Sequence, residues 1–202
     1  MSQELFFVLT YLTGAFPTSF VIGKLFFSIN LLEHGSKNLG ATNAFRVLGK
    51  AAGLWVLALD ILKGFIPVLI ATKLWPDSLT LSATAGIIAV VGHSFSIFVK
   101  FKGGKGVATS TGVFLALAPK ALLLSLLSFS IVVAGTSYIS LGSIVGAVCL
   151  PLAVYLFEDG WKILLPVASG LSGFIIFKHR SNMVRLWRGE ESRFQWKKSK
   201  TF

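Results

Sequence analysis

The chain has 202 residues, 54% of them apolar and only 13% charged, and its 18 Phe are incompatible with a disordered polymer. Its net charge of +11 would point to nucleic acid in a soluble protein, and its single Cys excludes a disulfide framework or a Cys-rich zinc site. The mean hydropathy is +0.77, and the basic residues fall between long apolar runs, so anionic lipid heads or phosphate substrates fit the charge better than nucleic acid does.

The first apolar run covers residues 5–27 and continues past Pro17 without a basic leader or a cleavage site. It reads as a retained span, with Lys24 snorkelling at its end. The second covers 51–75 and contains Asp60 and Lys63. The third covers 79–99, with His93 near its end. The fourth, 107–135, is interrupted by Pro119 and Lys120. Runs at 138–157 and 161–177 follow, and then a basic tail. Cys149 is expected to pack as a small hydrophobe.

Orientation follows from Lys and Arg in the short loops. Lys37, Arg46 and Lys50 lie between the first two runs, and Lys100, Lys102 and Lys105 after the third. Lys178, Arg180, Arg185, Arg188, Arg193, Lys197, Lys198 and Lys200 lie at the C-terminal end. These segments belong in the cytoplasm. Asp77, Glu158, Asp159 and the N-terminal Glu4 belong outside. The fourth run must then cross twice, turning at Pro119, to return the tail inside. The expectation is an all-α integral membrane protein of seven spans, N-terminus out and C-terminus in. The two spans around Pro119 are short against the usual ~20 residues. Residues 1–202 form one polytopic domain, ending in a basic cytoplasmic tail over 179–202.

On this topology every polar, glycine-rich segment faces the cytoplasm. One runs from Ser36 through Asn38, Gly40, Thr42 and Asn43 to Arg46. A second joins His93 to Gly103-Gly104-Lys105-Gly106 and Thr109. A third holds Ser140 and Ser143, and the last holds His179, Asn182 and Arg185. Glycine lets backbone N–H groups approach a ligand closely, and Ser, Thr, Asn, Lys and Arg add donors. Gly103 to Gly106 lead directly into an apolar run, where a helix N-terminus would favour an anion. Several such loops on one face indicate a phosphate site, whereas a single one would be only a tight turn. Walker A fails, since Val99 occupies its first Gly position, and a dinucleotide fingerprint fails at Thr109. No metal site is expected, because carboxylates and thiols are scarce near His34, His93 and His179. Hydrogen bonds that orient loops are the expected role of these histidines. A His-x-x-x-x-Asp acyltransferase dyad is absent. Asp60 and Lys63 share one helix face. Each costs ~2.5–3.5 kcal/mol at depth on insertion scales, so they are expected to pair.

Taken together, these segments resemble one family. They are Gly35-Ser36-x-Asn38-x-Gly40-Ala41-Thr42-Asn43-x-x-Arg46, Asp60-x-x-Lys63-Gly64, Gly92-His93, Phe101-Lys102-Gly103-Gly104-Lys105-Gly106-Val107-Ala108-Thr109, Ser140-x-x-Ser143 and His179-x-x-Asn182-x-x-Arg185-Leu186. In this order they are similar to the PlsY-type acyl-phosphate:glycerol-3-phosphate acyltransferases, over nearly the whole chain.

The resemblance implies a bacterial inner-membrane enzyme with its site facing the cytoplasm. It implies acyl transfer from acyl phosphate to the 1-hydroxyl of glycerol 3-phosphate, giving lysophosphatidic acid and phosphate, the first acylation of phospholipid synthesis. No cofactor is implied, and a functional link to an enzyme producing acyl phosphate is. Arg46, Lys105, Ser143, His179 and Asn182 would hold glycerol 3-phosphate, with Lys105, Arg46, Ser143 and His179 as the catalytic set. Ser36, Asn38, Thr42, Asn43 and the amides near Gly103 and Gly104 would grip the acyl-phosphate head. Gly40, His93, Gly106 and Thr109 complete the binding set. Two positions depart from the pattern: Lys37 stands where a small or polar residue is expected, and Ser96 where Pro is common. Ser96 is expected to loosen the end of the third span. The rivals are a small transporter of phosphorylated solutes or lipids and a basic membrane scaffold.

Overall fold

A computed structural model describes residues 1–194, so Lys197, Lys198 and Lys200 lie outside the described residues. No strand occurs among them. The helices are α1 (Gln3–Ala15), α2 (Thr18–Phe27), α3 (Ala41–Leu48), α4 (Lys50–Leu74), α5 (Leu79–Ser94), α6 (Val107–Leu117), α7 (Pro119–Thr136), α8 (Ile139–Phe157), α9 (Trp161–Lys178) and α10 (Arg180–Trp187), with a 3-10 turn at Ile97–Val99. Among the described residues, five helices are long and apolar enough to cross a membrane, or six when α1 and α2 count as one bent span.

Prolines set two of the breaks. The first run is not one straight helix: α1 and α2 meet at 44° across Phe16 and Pro17. Pro17 lacks the N–H that would continue the ladder. At the other break, Ala118 takes φ −151°, outside the helical region, and Pro119 opens α7. The residue before a proline is driven from the α region, so the helix stops where the sequence predicts. The two pieces are unequal, with 11 residues in α6 and 18 in α7. Glu158 accepts a hydrogen bond from the Ala121 N–H at 2.9 Å, satisfying an amide of the first turn of α7. Pro67, Pro151 and Pro166 lie inside helices, as membrane helices tolerate.

The chain forms two compact units, Met1–Ala116 and Leu117–Phe202. In the first, α5 packs against α1 and α4, and α3 against α4. Backbones approach closely through glycine. A Cβ on Gly64 would lie 2.0 Å from the Thr109 carbonyl oxygen, and one on Gly112 would lie 1.9 Å from that of Ile61. Gly14 and Gly92 similarly press on Ala89 and Tyr11. In the second unit α8 packs against α7 and α9, with Gly142 against Phe129. Small residues at helix seams are the usual device where lipid removes the hydrophobic drive between helices. Many large apolar side chains, including Leu123, Ile131, Val148 and Leu152, stand outward, while Leu150, Val154 and Leu164 are buried. Cys149 is half-buried rather than buried.

The α4–α6 seam has no slack for a methyl group. Gly64→Ala and Gly112→Ala should each destabilise by about 1–3 kcal/mol. Gly170→Ala, where a Cβ meets nothing within 4 Å, should be silent. Thermal unfolding in detergent would compare the three.

Candidate active site

In the first unit, residues 28–40 fold back on α3 through one side chain. Asn43 is 1% exposed. Its Oδ1 accepts from the Ser36 N–H at 2.8 Å, and its Nδ2 faces the carbonyls of Leu31, His34 and Asn38 at 3.3, 3.1 and 3.0 Å. Gly35 lies at φ +60°, and a Cβ there would sit 2.3 Å from Asn43 Oδ1. Lys37 also takes a left-handed φ of 56°, which explains the small residue expected there. Gly40 is extended and leads into α3. Thr42 follows half-buried, while Ser36 and Arg46 are exposed.

The second segment meets the first. Val99 shares a hydrophobic cluster with Leu31, Leu39 and Ala44. Thr18, Leu39, Lys63, His93, Ser96 and Gly104 line one pocket. The turn after Val99 uses left-handed Lys100 and Phe101, and Gly106, at φ +86°, precedes α6. Gly103, Gly104 and Lys105 therefore lie just before a helix N-terminus, where amides and the dipole favour anions. Thr109 is fully buried in the α4–α6 seam, with its hydroxyl unpartnered. Ser96 does not loosen the end of α5. It is 1% exposed, its hydroxyl donates to the Ala15 carbonyl, and its carbonyl accepts from the Phe101 N–H at 2.8 Å. A serine can fasten here because, unlike proline, it brings a hydroxyl donor.

Asp60 and Lys63 pair as their spacing predicts, at 2.7 Å with both buried. Two histidines orient their segments: His34 Nδ1 lies 2.9 Å from the Asn30 carbonyl, and His179 Nδ1 lies 2.8 Å from that of Ile175. A carbonyl only accepts, so each Nδ1 carries hydrogen, and Nε2 is the nitrogen able to take a proton.

In the second unit, Ser143 and Ser140 lie in the first turns of α8 and are nearly buried. His179 joins α9 to α10, which carries Asn182 and Arg185. A residue absent from the sequence reading gathers this group. Glu191 accepts hydrogen bonds from Ser140 Oγ (2.7 Å), Asn182 Nδ2 (2.6 Å) and Arg185 Nε (2.6 Å). Burial pushes its carboxyl up, but these three bonds and the Arg185 charge outweigh it and hold the group below its ordinary value. Only its position as an acid in a basic tail marked Glu191, and no local spacing joins it to Ser140.

A carboxyl whose pKa is lowered by folding stabilises fully above its ordinary value and loses that contribution as pH falls through the folded value. Amides of 138–143 and 182–191 should therefore exchange hydrogen faster, after correction for intrinsic rates, as the pH drops below 4.5. Glu191→Gln should exchange fast at every pH.

Comparison with known proteins bears on both segments. The family model described as glycerol-3-phosphate acyltransferase matches residues 4–189. The glycerol-3-phosphate acyltransferases of Staphylococcus aureus strains JH9 and Newman are each 46% identical over 198 residues, covering 94% of this chain and 96% of theirs. Crystal structures of PlsY, an integral membrane glycerol 3-phosphate acyltransferase, are 39% identical and cover 96% of both chains. The TM-score is 0.89 for the glycerol 3-phosphate form and 0.86 for the lysophosphatidic acid form. The chain, all-helical among its described residues, belongs to the glycerol-3-phosphate acyltransferase family.

Proposed function

We propose that this membrane enzyme transfers a fatty acyl group from acyl phosphate to the 1-hydroxyl of glycerol 3-phosphate. The observation that carries the reading is the match, over 96% of both chains, to PlsY in its glycerol 3-phosphate form. Kinship to proteins named for acyl transfer weighs against a transporter. The membrane is the bacterial inner membrane. The chain is one polytopic domain of seven spans, with α1 and α2 as one bent span and α6 as the shortest. The N-terminus lies outside, and the C-terminus and site lie in the cytoplasm, as the Lys and Arg bias of the loops requires.

In the first unit, Ser36, Asn38, Thr42, the Gly103 and Gly104 amides, Lys105 and Arg46 bind phosphate, with Gly40 and Gly106 shaping their loops. In the second, Ser143, His179 and Asn182 do so. Acyl phosphate is a mixed anhydride and already activated, so alignment supplies much of the rate. The hydroxyl oxygen bonds to the carbonyl carbon, and the bond from that carbon to the phosphate oxygen breaks. The departing phosphate takes the hydroxyl proton. Lys105 and Arg46 stabilise the negative charge that develops on it.

With palmitoyl phosphate and glycerol 3-phosphate, phosphate and lysophosphatidate should appear in equal amounts. Lys105→Ala should lose at least ~10²-fold in kcat/KM while remaining folded. No product from folded wild type would refute the reading and turn attention to transport. His179→Gln should retain the shape of the kcat/KM–pH profile. Disappearance of one ionisation would instead make His179 Nε2 the base.

A further inference from the structure

The buried charges of α4 are not used by this chemistry, yet they abut the loop that is. Asp60 and Lys63 are 1% and 7% exposed. Lys63 Nζ donates to Asp60 Oδ1 at 2.7 Å and also to the Phe16 carbonyl at 2.5 Å, where α1 ends. His93, itself 7% exposed, lies with Nδ1 3.9 Å from the same Asp60 oxygen. The other edge of the His93 ring faces the glycine loop. A Cβ on Gly104 would fall 2.2 Å from His93 Nε2. The Gly104 N–H donates to the His93 carbonyl at 3.1 Å, and a Cβ on Gly103 would fall 2.0 Å from that oxygen. Residue 93 therefore touches both glycines with ring and backbone while its far side rests on the ion pair. The ends of α1 and α5 are tied by Tyr11 Oη to the Phe95 carbonyl at 2.8 Å and by Ser96 to that of Ala15.

We propose that Asp60 and Lys63 are positioning residues. Through His93 they fix the Gly103–Lys105 loop against the ends of α1 and α5, so that its amides and Lys105 face phosphate in one arrangement. A pair that served only to neutralise itself would need no third partner, and apolar residues of like volume would serve the fold as well. This pair instead has one member on the end of α1 and the other beside the histidine that seats the loop. His93 thereby acts on the loop rather than on substrate. The inference rests on the proposed function for its catalytic consequence alone.

The test uses the full chain in detergent with two variants. Asp60→Asn combined with Lys63→Gln removes both charges without leaving one buried alone, and His93→Ala removes the link. Trypsin cleavage after Lys100, Lys102 and Lys105 reads loop order, and cleavage after Arg188 is the internal reference. In both variants, loop cleavage should quicken about tenfold against an unchanged Arg188 rate, since a released loop opens locally. The KM for glycerol 3-phosphate should rise and kcat/KM should fall at least ~10-fold, with the melting temperature held within a few degrees. Wild-type cleavage and kinetics in either variant would overturn the proposal. So would collapse of both variants with cleavage quickened everywhere, because the pair would then serve the whole fold. Absence of acyl transfer by wild type would refute the proposed function, while the cleavage comparison would still decide whether the clamp exists.

Discussion

In hydrocarbon every backbone N–H and C=O needs a partner from the chain itself, and the rest of this structure follows from that requirement. It restricts the apolar runs to helices and leaves ligand-binding amides only at helix ends. The glycine motifs stand at such ends, before α3 and α6. The same surroundings withhold the hydrophobic drive between helices, so backbones must come close enough for dispersion to act. The α4–α6 contact at Gly64 and Gly112 meets that need. It also fixes α6, and with it the loop that opens α6, against the helix carrying Asp60 and Lys63.

Polar groups inside the first unit divide by depth. Asp60, Lys63, His93 and Asn43 are buried and hold other parts of the chain. Arg46 and Ser36 are exposed, and Lys105 is half-buried. The exposed polar side chains are therefore carried on segments that buried polar side chains hold in place. Family resemblance groups both kinds into one set of motifs, and the hydrogen bonds of Asn43 separate them.

Much of this was legible in the sequence because it is local. Apolar runs gave the long helices, Pro119 gave the break at Ala118, and a spacing of three put Asp60 beside Lys63. The glycine-rich loops were recognisable from glycine alternating with small polar residues. Two helices were not legible, α3 and α10. Each has eight residues and carries Arg on a polar face, so neither shows the long apolar run by which the others were found. The bend at Pro17 was hidden by hydrophobicity continuing across it. Glu191 and Ser96 act through partners 51 and 81 residues away, and no periodicity spans such distances. Ser96 shows how a departure from a motif can substitute one restraint, a stiff ring, with another, a hydroxyl aimed at a carbonyl.

Asn43 has a kinetic consequence. Its amide closes residues 31–43 on themselves, with bonds internal to the chain. The entropy of ordering that segment is therefore lost during folding and not at encounter with a solute. Under the proposed function, capture of an anionic head by a segment of settled shape would be governed by diffusion and the attraction of nearby cations, not by rearrangement. Its association rate would fall with ionic strength, as steered encounters do, while changing little with solvent viscosity beyond the diffusive part.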